Sequence, residues 1–293
     1  MSAAQPLVLL HALGTDRHMW DPVLPRLEAE REVIALDMPG FGSAAPLQGG
    51  AGAGTRGAGA GAEGPAAPSL VAGRGEGAGA RGEGAAAPPG ASAGAAHVTP
   101  RDLARAIAAQ LSARGLDRPH VAGNSLGGWV ALELALAGHA RSVTAIAPAG
   151  LWAQPLAPKR STARLAARAA RPLLPALLKR PGGKRAALGG TIAHPERVPY
   201  DAALGLVRAY AEAPGFDAVN AGMRANVFAG LGEITVPLTL AWPEFDKLVS
   251  RPDSVPASAR EVFLDGCGHM PTWDDPERVA EVLLAGSSVD PPS

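Results

Sequence analysis

Cysteine is nearly missing from this chain of 293 residues. The single one, Cys267, excludes any internal disulfide and is compatible with a reducing compartment. Net charge is missing as well. Lys and Arg number 27, Asp and Glu 27, so electrostatics gives no reason to expect a nucleic acid partner. No apolar run reaches the ~18 residues that a membrane span needs, and stable membrane insertion is not expected. Met1 to Pro6 carries no positive stretch, and Pro6 to Leu10 is too short for the apolar part of a signal peptide; a cytoplasmic protein is the expectation. His18, His97, His120, His139 and His194 lack metal-ligand spacing and are read as structural or solvated. No metal and no cofactor is expected. Arg outnumbers Lys, and Ala, Gly and Pro abound, as in a GC-rich bacterial gene.

What is present is enough apolar material for a sizeable core, 47% of the residues, arranged in an alternation. Pro6–Leu10 is a continuous apolar run, as a strand buried on both faces should be. Asp21-Pro22 reads as the start of a short helix, and 32–37 as a second strand with a turn-rich exit at Met38–Gly42. Thr99-Pro100-Arg101-Asp102 opens a helix whose apolar face is Leu103, Ile107 and Leu111. His120–Ala122 is strand-like, Trp129–Leu136 an amphipathic helix, and Val143–Ala147 another strand. Val236–Trp242 and Glu261–Leu264 complete the strands, and Asp275-Pro276 starts a closing helix. Strands alternating with helices predict a parallel sheet covered on both faces, an α/β fold.

Two segments break the alternation. Of the 48 residues from 49 to 96, 33 are Gly or Ala, and Leu70 and Val71 are the only large apolar ones. Such a segment cannot offset its ordering entropy and is expected to be a disordered insertion. It is tolerated because each doubling of a loop's length costs only ~0.6 kcal/mol. From 151 to 233 no strand is evident, and helical pieces are cut by prolines. Between Lys159 and Arg185 lie nine Lys or Arg and no acid, with Arg160, Arg164, Arg168 and Arg171 on one helical face. That face reads as solvated, or else as a cationic rim that steers anionic substrates or touches an anionic membrane surface. Residues 287–293 read as a frayed tail.

The chemistry concentrates around Gly123-Asn124-Ser125-Leu126-Gly127. Strand, sharp turn and helix are the context that a G-x-S-x-G match requires. Gly123 and Gly127 flank a serine in a strained conformation, where side chains would collide across the turn. Ser125 follows one strand, Asp246 a later one and His269 the last. In an open parallel sheet, sites lie beyond the carboxyl ends of the strands, so all three residues would share one edge.

From Pro6 to about Ala285, the insertion aside, the chain resembles the lid-bearing serine hydrolase branch of the α/β-hydrolase superfamily. The resemblance rests on His11-Ala12-Leu13-Gly14 with Trp20, Asp37–Gly42, Gly123–Gly128, Asp246 and Gly268-His269, five stretches in family order, each at a strand exit. Ala12 and Pro243 stand where the family usually has glycine. The resemblance implies a mostly parallel sheet of eight strands or fewer, built from 1–150 and 234–286, with 151–233 as a helical lid. Ser125 is then the nucleophile, His269 its base and Asp246 the acid that orients the imidazole. Asp253 and Asp265 are rivals placed less well. The oxyanion hole implied is the pair of backbone N–H groups of Leu13 and Leu126. His11, Asn124, Trp152 and Met270 are pocket candidates, although His11 reads more as an organiser of its loop. Trp242 reads as core, and Cys267 as a buried thiol.

The expected activity is hydrolysis of a small-molecule carboxylic ester-type substrate. Serine at 125 argues against the dehalogenase and epoxide-hydrolase branches, which use aspartate there. Asn124 and Trp273 keep a carbon–carbon bond hydrolase of ring-cleavage products as an alternative, against which stands Met270 in place of a tryptophan. A non-catalytic ligand receptor on the same fold is the third reading.

Overall fold

The computed structural model describes residues 5–47, 97–159 and 161–288. The expected disordered insertion at 49–96, Arg160 and the tail from 289 lie outside the described residues.

Six strands form one sheet among the described residues: β1 (Leu7–Leu10), β2 (Val33–Leu36), β3 (His120–Asn124), β4 (Ser142–Ile146), β5 (Leu238–Pro243) and β6 (Arg260–Leu264). Their order is β2-β1-β3-β4-β5-β6, and every pairing is parallel. The family pattern allowed eight strands or fewer, and six are seen. Successive side chains of a strand point to opposite faces, and β1 uses both. Val8 and Leu10 pack with Leu103, Ile107 and Leu111 of α2 (Pro100–Ala113) and with Leu126 and Val130 of α3 (Leu126–Leu136). Leu7 and Leu9 pack on the other side with Leu27 of α1 (Leu24–Glu28) and with Val279 and Leu283 of α9 (Pro276–Ser287). This double cover is why the β1 sequence shows no polar alternation.

Local signals held where the chemistry of the cap was complete. Thr99 and Asp102 close a reciprocal capping box at α2, and Asp275 caps α9 by accepting from the Arg278 N–H. Three expectations need correction. Asp21 caps no helix: it ends a 3-10 turn, Arg17–Trp20, that Asp16 opens, and α1 begins at Leu24 without a side-chain cap. α3 is not amphipathic, because the sheet, α2 and the following chain surround it and bury Leu126 to Ala135 throughout. Its one charge, Glu133, accepts from Trp129 Nε1 at 3.1 Å and pairs with Arg101. Ser287 is not frayed: it is buried, closes α9, and its hydroxyl donates to the Leu283 carbonyl at 2.7 Å.

Between β4 and β5 the chain forms α4 (Thr162–Ala169), α5 (Leu174–Leu177), α6 (Pro181–Leu188), α7 (Tyr200–Glu212) and α8 (Phe216–Arg224), with no strand among the described residues. This helical excursion packs on the exit loops of the sheet. Gly215 N–H donates to the Gly40 carbonyl after β2 at 2.9 Å, and Met270 N–H, after β6, donates to the Thr191 carbonyl at 2.8 Å. Its basic stripe differs from both expectations at Arg164. That side chain is 3% exposed. It pairs with Asp217 at 2.7 Å, donates to the Tyr210 and Ala213 carbonyls and lies over the Phe216 ring. Arg168 donates to the Ala211 carbonyl at 2.7 Å, and Arg171 pairs with Glu212. The stripe ties α4 to α7 and α8, because a guanidinium carries enough donors to satisfy the carbonyls at helix ends.

Candidate active site

The strand order reverses between β1 and β3: the chain leaves β1 toward β2 on one side and returns to β3 on the other. Such a reversal opens a crevice at the strands' carboxyl ends. Ser125 stands there, directly after β3 and before α3, with φ 56 and ψ −112. A non-glycine residue with positive φ is costly and persists only where the surroundings impose it. Here they do. Ser125 N–H donates to the Ile146 carbonyl of β4 at 2.9 Å, and the Ser125 carbonyl accepts from Trp129 and Ala149 at 3.0 Å each. A Cβ on Gly123 would collide with the Gly127 backbone, and one on Gly127 with the Leu10 carbonyl. The elbow closes on itself and against β1 only because both residues are glycine.

The exit of β1, His11–Gly14, lies beside it. His11 is fully buried. Its Nδ1 donates to the Ala12 carbonyl at 2.8 Å while its Nε2 accepts from the Met38 N–H at 2.9 Å. Burial lowers its pKa, against the pull of the Ala12 carbonyl and of Asp37 and Asp16. With both nitrogens engaged in the neutral form, His11 ties the β1 loop to the β2 loop and has no free lone pair for proton transfer. Alanine at 12 fits because Gly14 supplies the left-handed residue of this turn, with φ 77. Tyr210 and Phe216 of the excursion close over Gly14.

His269 and Asp246 meet at the other side. His269 Nδ1 lies 2.7 Å from Asp246 Oδ2, and both side chains are 4% exposed. Burial pushes the Asp246 carboxyl up, but the bond from His269, its charge and the Leu248 and Val249 N–H groups on Oδ1 outweigh it, and the net shift is downward. An ionised carboxylate can only accept, so Nδ1 carries the proton and Nε2 is left as the basic nitrogen. Asp253 and Asp265 are exposed, as a surface acid would be. Pro243 ends β5 opposite Leu264 and does not keep Asp246 from the imidazole.

Asn124 connects the two halves. Its Nδ2 donates to the Ile146 carbonyl at 3.1 Å and to the His269 carbonyl at 3.0 Å. The residue next to Ser125 therefore holds the backbone of His269. Asn124 is fully buried, and Met270 is nearly so within the α9-side core. Trp152 is half-buried, edge-on to Trp129, and donates to the Asn226 carbonyl. Of the four pocket candidates, His11, Asn124 and Met270 are buried; both ring nitrogens of His11 are engaged, whereas Asn124 Oδ1 is buried with no hydrogen-bond partner among the described residues. Cys267 is buried, and burial with nearby acids pushes its thiol up to about 12, so it is no nucleophile near neutrality. Trp242 lies in the core and donates to Glu261. A cavity of about 320 Å³ borders this side, lined by Phe245, Asp246, Lys247, Gly268 and residues 189–193; Ser125 does not line it.

Sequence reasoning missed Asp274. Its Oδ2 accepts from the N–H groups of Gly268, at 2.8 Å, and Ala193, at 3.1 Å, and its Oδ1 from His194 at 2.8 Å. It clamps the loop that carries His269 to the segment leaving α6. An acid five residues after the histidine was the available signal, but nothing local said what it would hold. Asp274→Ala strands three donors, and buried donors left unmatched cost about 1–3 kcal/mol each. We expect a loss of roughly 3 kcal/mol in urea unfolding, and a smaller loss for Asp274→Asn, which keeps one acceptor.

The chain matches the sequence profile of the alpha/beta hydrolase family over residues 7–282. It is 34% identical over 200 residues to the epoxide hydrolase EphH of Mycobacterium tuberculosis, a match covering 62% of this chain and 92% of that one. Among solved structures, an esterase from Thermogutta terrifontis superposes with TM-score 0.62 at 19% identity, covering 97% of this chain and 89% of its own. The enol-lactonase from Burkholderia xenovorans LB400 gives 0.64 at 17%, covering 98% and 93%. At these identities the two structures speak for the fold alone.

Proposed function

Because the chain belongs to the alpha/beta hydrolase family, we propose that this hydrolase cleaves a carboxylic ester-type substrate through Ser125, His269 and Asp246. The observation that carries the reading is the Asn124–His269 bond, which ties the backbone of a histidine whose ring is paired to a buried carboxylate to the residue beside a strained serine. Ser125 Oγ attacks the carbonyl carbon as His269 Nε2 takes its proton. The oxyanion forms against the N–H groups of Leu13 and Leu126. Leu126 is the first residue of α3, where an N–H has no partner within the helix. The imidazolium, stabilised by Asp246, then protonates the leaving alkoxide. Water enters, gives a proton to Nε2 and attacks the acyl-enzyme, which releases the acid and restores Ser125. Residues 151–233 act as the lid, seated on the loops after β1, β2 and β6.

The name of the mycobacterial relative raises epoxide opening as a second reading. The chemistry of serine opposes it. A serine oxygen that opens an epoxide forms an ether, which has no carbonyl for water to attack, whereas an aspartate forms an ester that water clears. Purified protein should therefore turn over short-chain p-nitrophenyl esters many times. Sustained diol formation from a simple epoxide, with no ester turnover, would reject the acyl-enzyme. Turnover of ring-cleavage dienoates alone would favour carbon–carbon cleavage, and a single slow ester turnover would favour a receptor.

A further inference from the structure

Seven large hydrophobic residues are exposed among the described residues, and three of them fall within 165–177: Leu165 at 59%, Leu173 at 60% and Leu177 at 44%. Scattered exposed leucines are ordinary, but this group sits where the sequence alone suggested a charged, solvated face. The helix α4 is turned over. Arg164 points inward to Asp217 and the α7 end, and Leu165 points out. Leu173 and Leu177 follow four residues apart across a 3-10 turn (Arg171–Leu173) and α5, while Leu174 and Leu178 take the buried side. The same stretch carries the exposed Arg168, Arg171, Lys179, Arg180 and Arg185; Arg171 pairs with Glu212 and Arg185 with Glu196, so the cations outnumber the acids that meet them. No acid lies in the chain between Lys159 and Arg185.

We propose that this outer face of α4 and α5 is a docking surface for an anionic lipid bilayer. Apolar side chains at the centre of a cationic rim are the pattern of a segment that lies in the headgroup region, its leucines in the acyl boundary and its cations against lipid phosphates. Charge selects this occupant over a second copy of the chain. A two-fold dimer would bring the same face, with its excess of cations over acids, against itself. Among the described residues no helix is long and apolar enough to cross a membrane, so the contact is peripheral. The proposal does not depend on the ester reading, since binding can be measured without turnover.

Sedimentation of the full chain with vesicles tests it. The protein should bind vesicles of phosphatidylcholine containing phosphatidylglycerol, and bind phosphatidylcholine alone far less. Added salt should weaken the binding. Replacing Leu165, Leu173 and Leu177 together by serine should lower the partition coefficient about tenfold or more, with the melting temperature unchanged. If the triple variant folds poorly, Leu173→Ser and Arg180→Glu alone should each weaken binding. Equal binding to both vesicles, or to neither, overturns the proposal. So does a dimer in solution that the leucine substitutions dissociate.

Discussion

Ser125→Ala should lower kcat by on the order of 10⁴-fold or more, and His269→Ala by a similar factor, with the double variant little worse than either. In the proposed mechanism the three side chains act in one proton-transfer chain, so removing the nucleophile or the base disables the rest, and their losses cannot add. Asp246→Ala should cost less, because an imidazole without its partner still samples the working orientation. It should also cost some stability. Asp246 is held below its ordinary pKa in the fold, so its contribution is present above the usual carboxylate range and fades as pH falls through the lowered value. Ser125→Ala leaves the fold intact, since alanine bears the φ 56 backbone no worse than serine and Ser125 fills little of the core. A fluorophosphonate should label Ser125 and no other serine. Labelling that persists in Ser125→Ala sinks the nucleophile assignment, and wild-type kcat in Asp246→Ala sinks that of the acid.

Gly127→Ala should be the most damaging change that touches no reacting group. The added methyl points at the Leu10 carbonyl and comes within 2.7 Å of the His11 carbonyl oxygen. Both are backbone atoms, and β1 cannot retreat without breaking its pairing with β2 and β3. Overpacking against backbone costs about 3 kcal/mol or more, which for a chain of this size lowers the melting temperature by roughly 6–12 °C. The activity of the folded fraction should fall as well, because the strain falls on the loop that carries Leu13. Melting of the wild type and the variant side by side, with kcat per active site titrated by fluorophosphonate, separates the two effects. An unchanged melting temperature would mean that the elbow does not press on β1 as described.

Much of this was legible beforehand for a definable reason. Strands buried on both faces announce themselves as apolar runs, caps such as Thr99 with Asp102 are local chemistry, and the glycine spacing around Ser125 reflects a steric constraint within five residues. The order of Ser125, Asp246 and His269 along the chain, together with parallel strands, was enough to place them at one edge. What the sequence could not determine depends on approach between distant segments. Asp246, and not Asp253 or Asp265, meets the His269 ring: its carboxylate lies 2.7 Å from Nδ1, while the other two are exposed. Asn124 reads from the sequence only as a pocket residue, and that its amide also holds the His269 carbonyl, 145 positions away, appears only in the fold. α3 reads as amphipathic because a helix does not record how many sides its neighbours will cover. Arg164 reads as solvent-facing because periodicity gives the face of a helix but not its direction. That direction was decided by the carbonyls ending α7, by Asp217 and by the Phe216 ring, which together offered a guanidinium more than water did and so turned Leu165 outward.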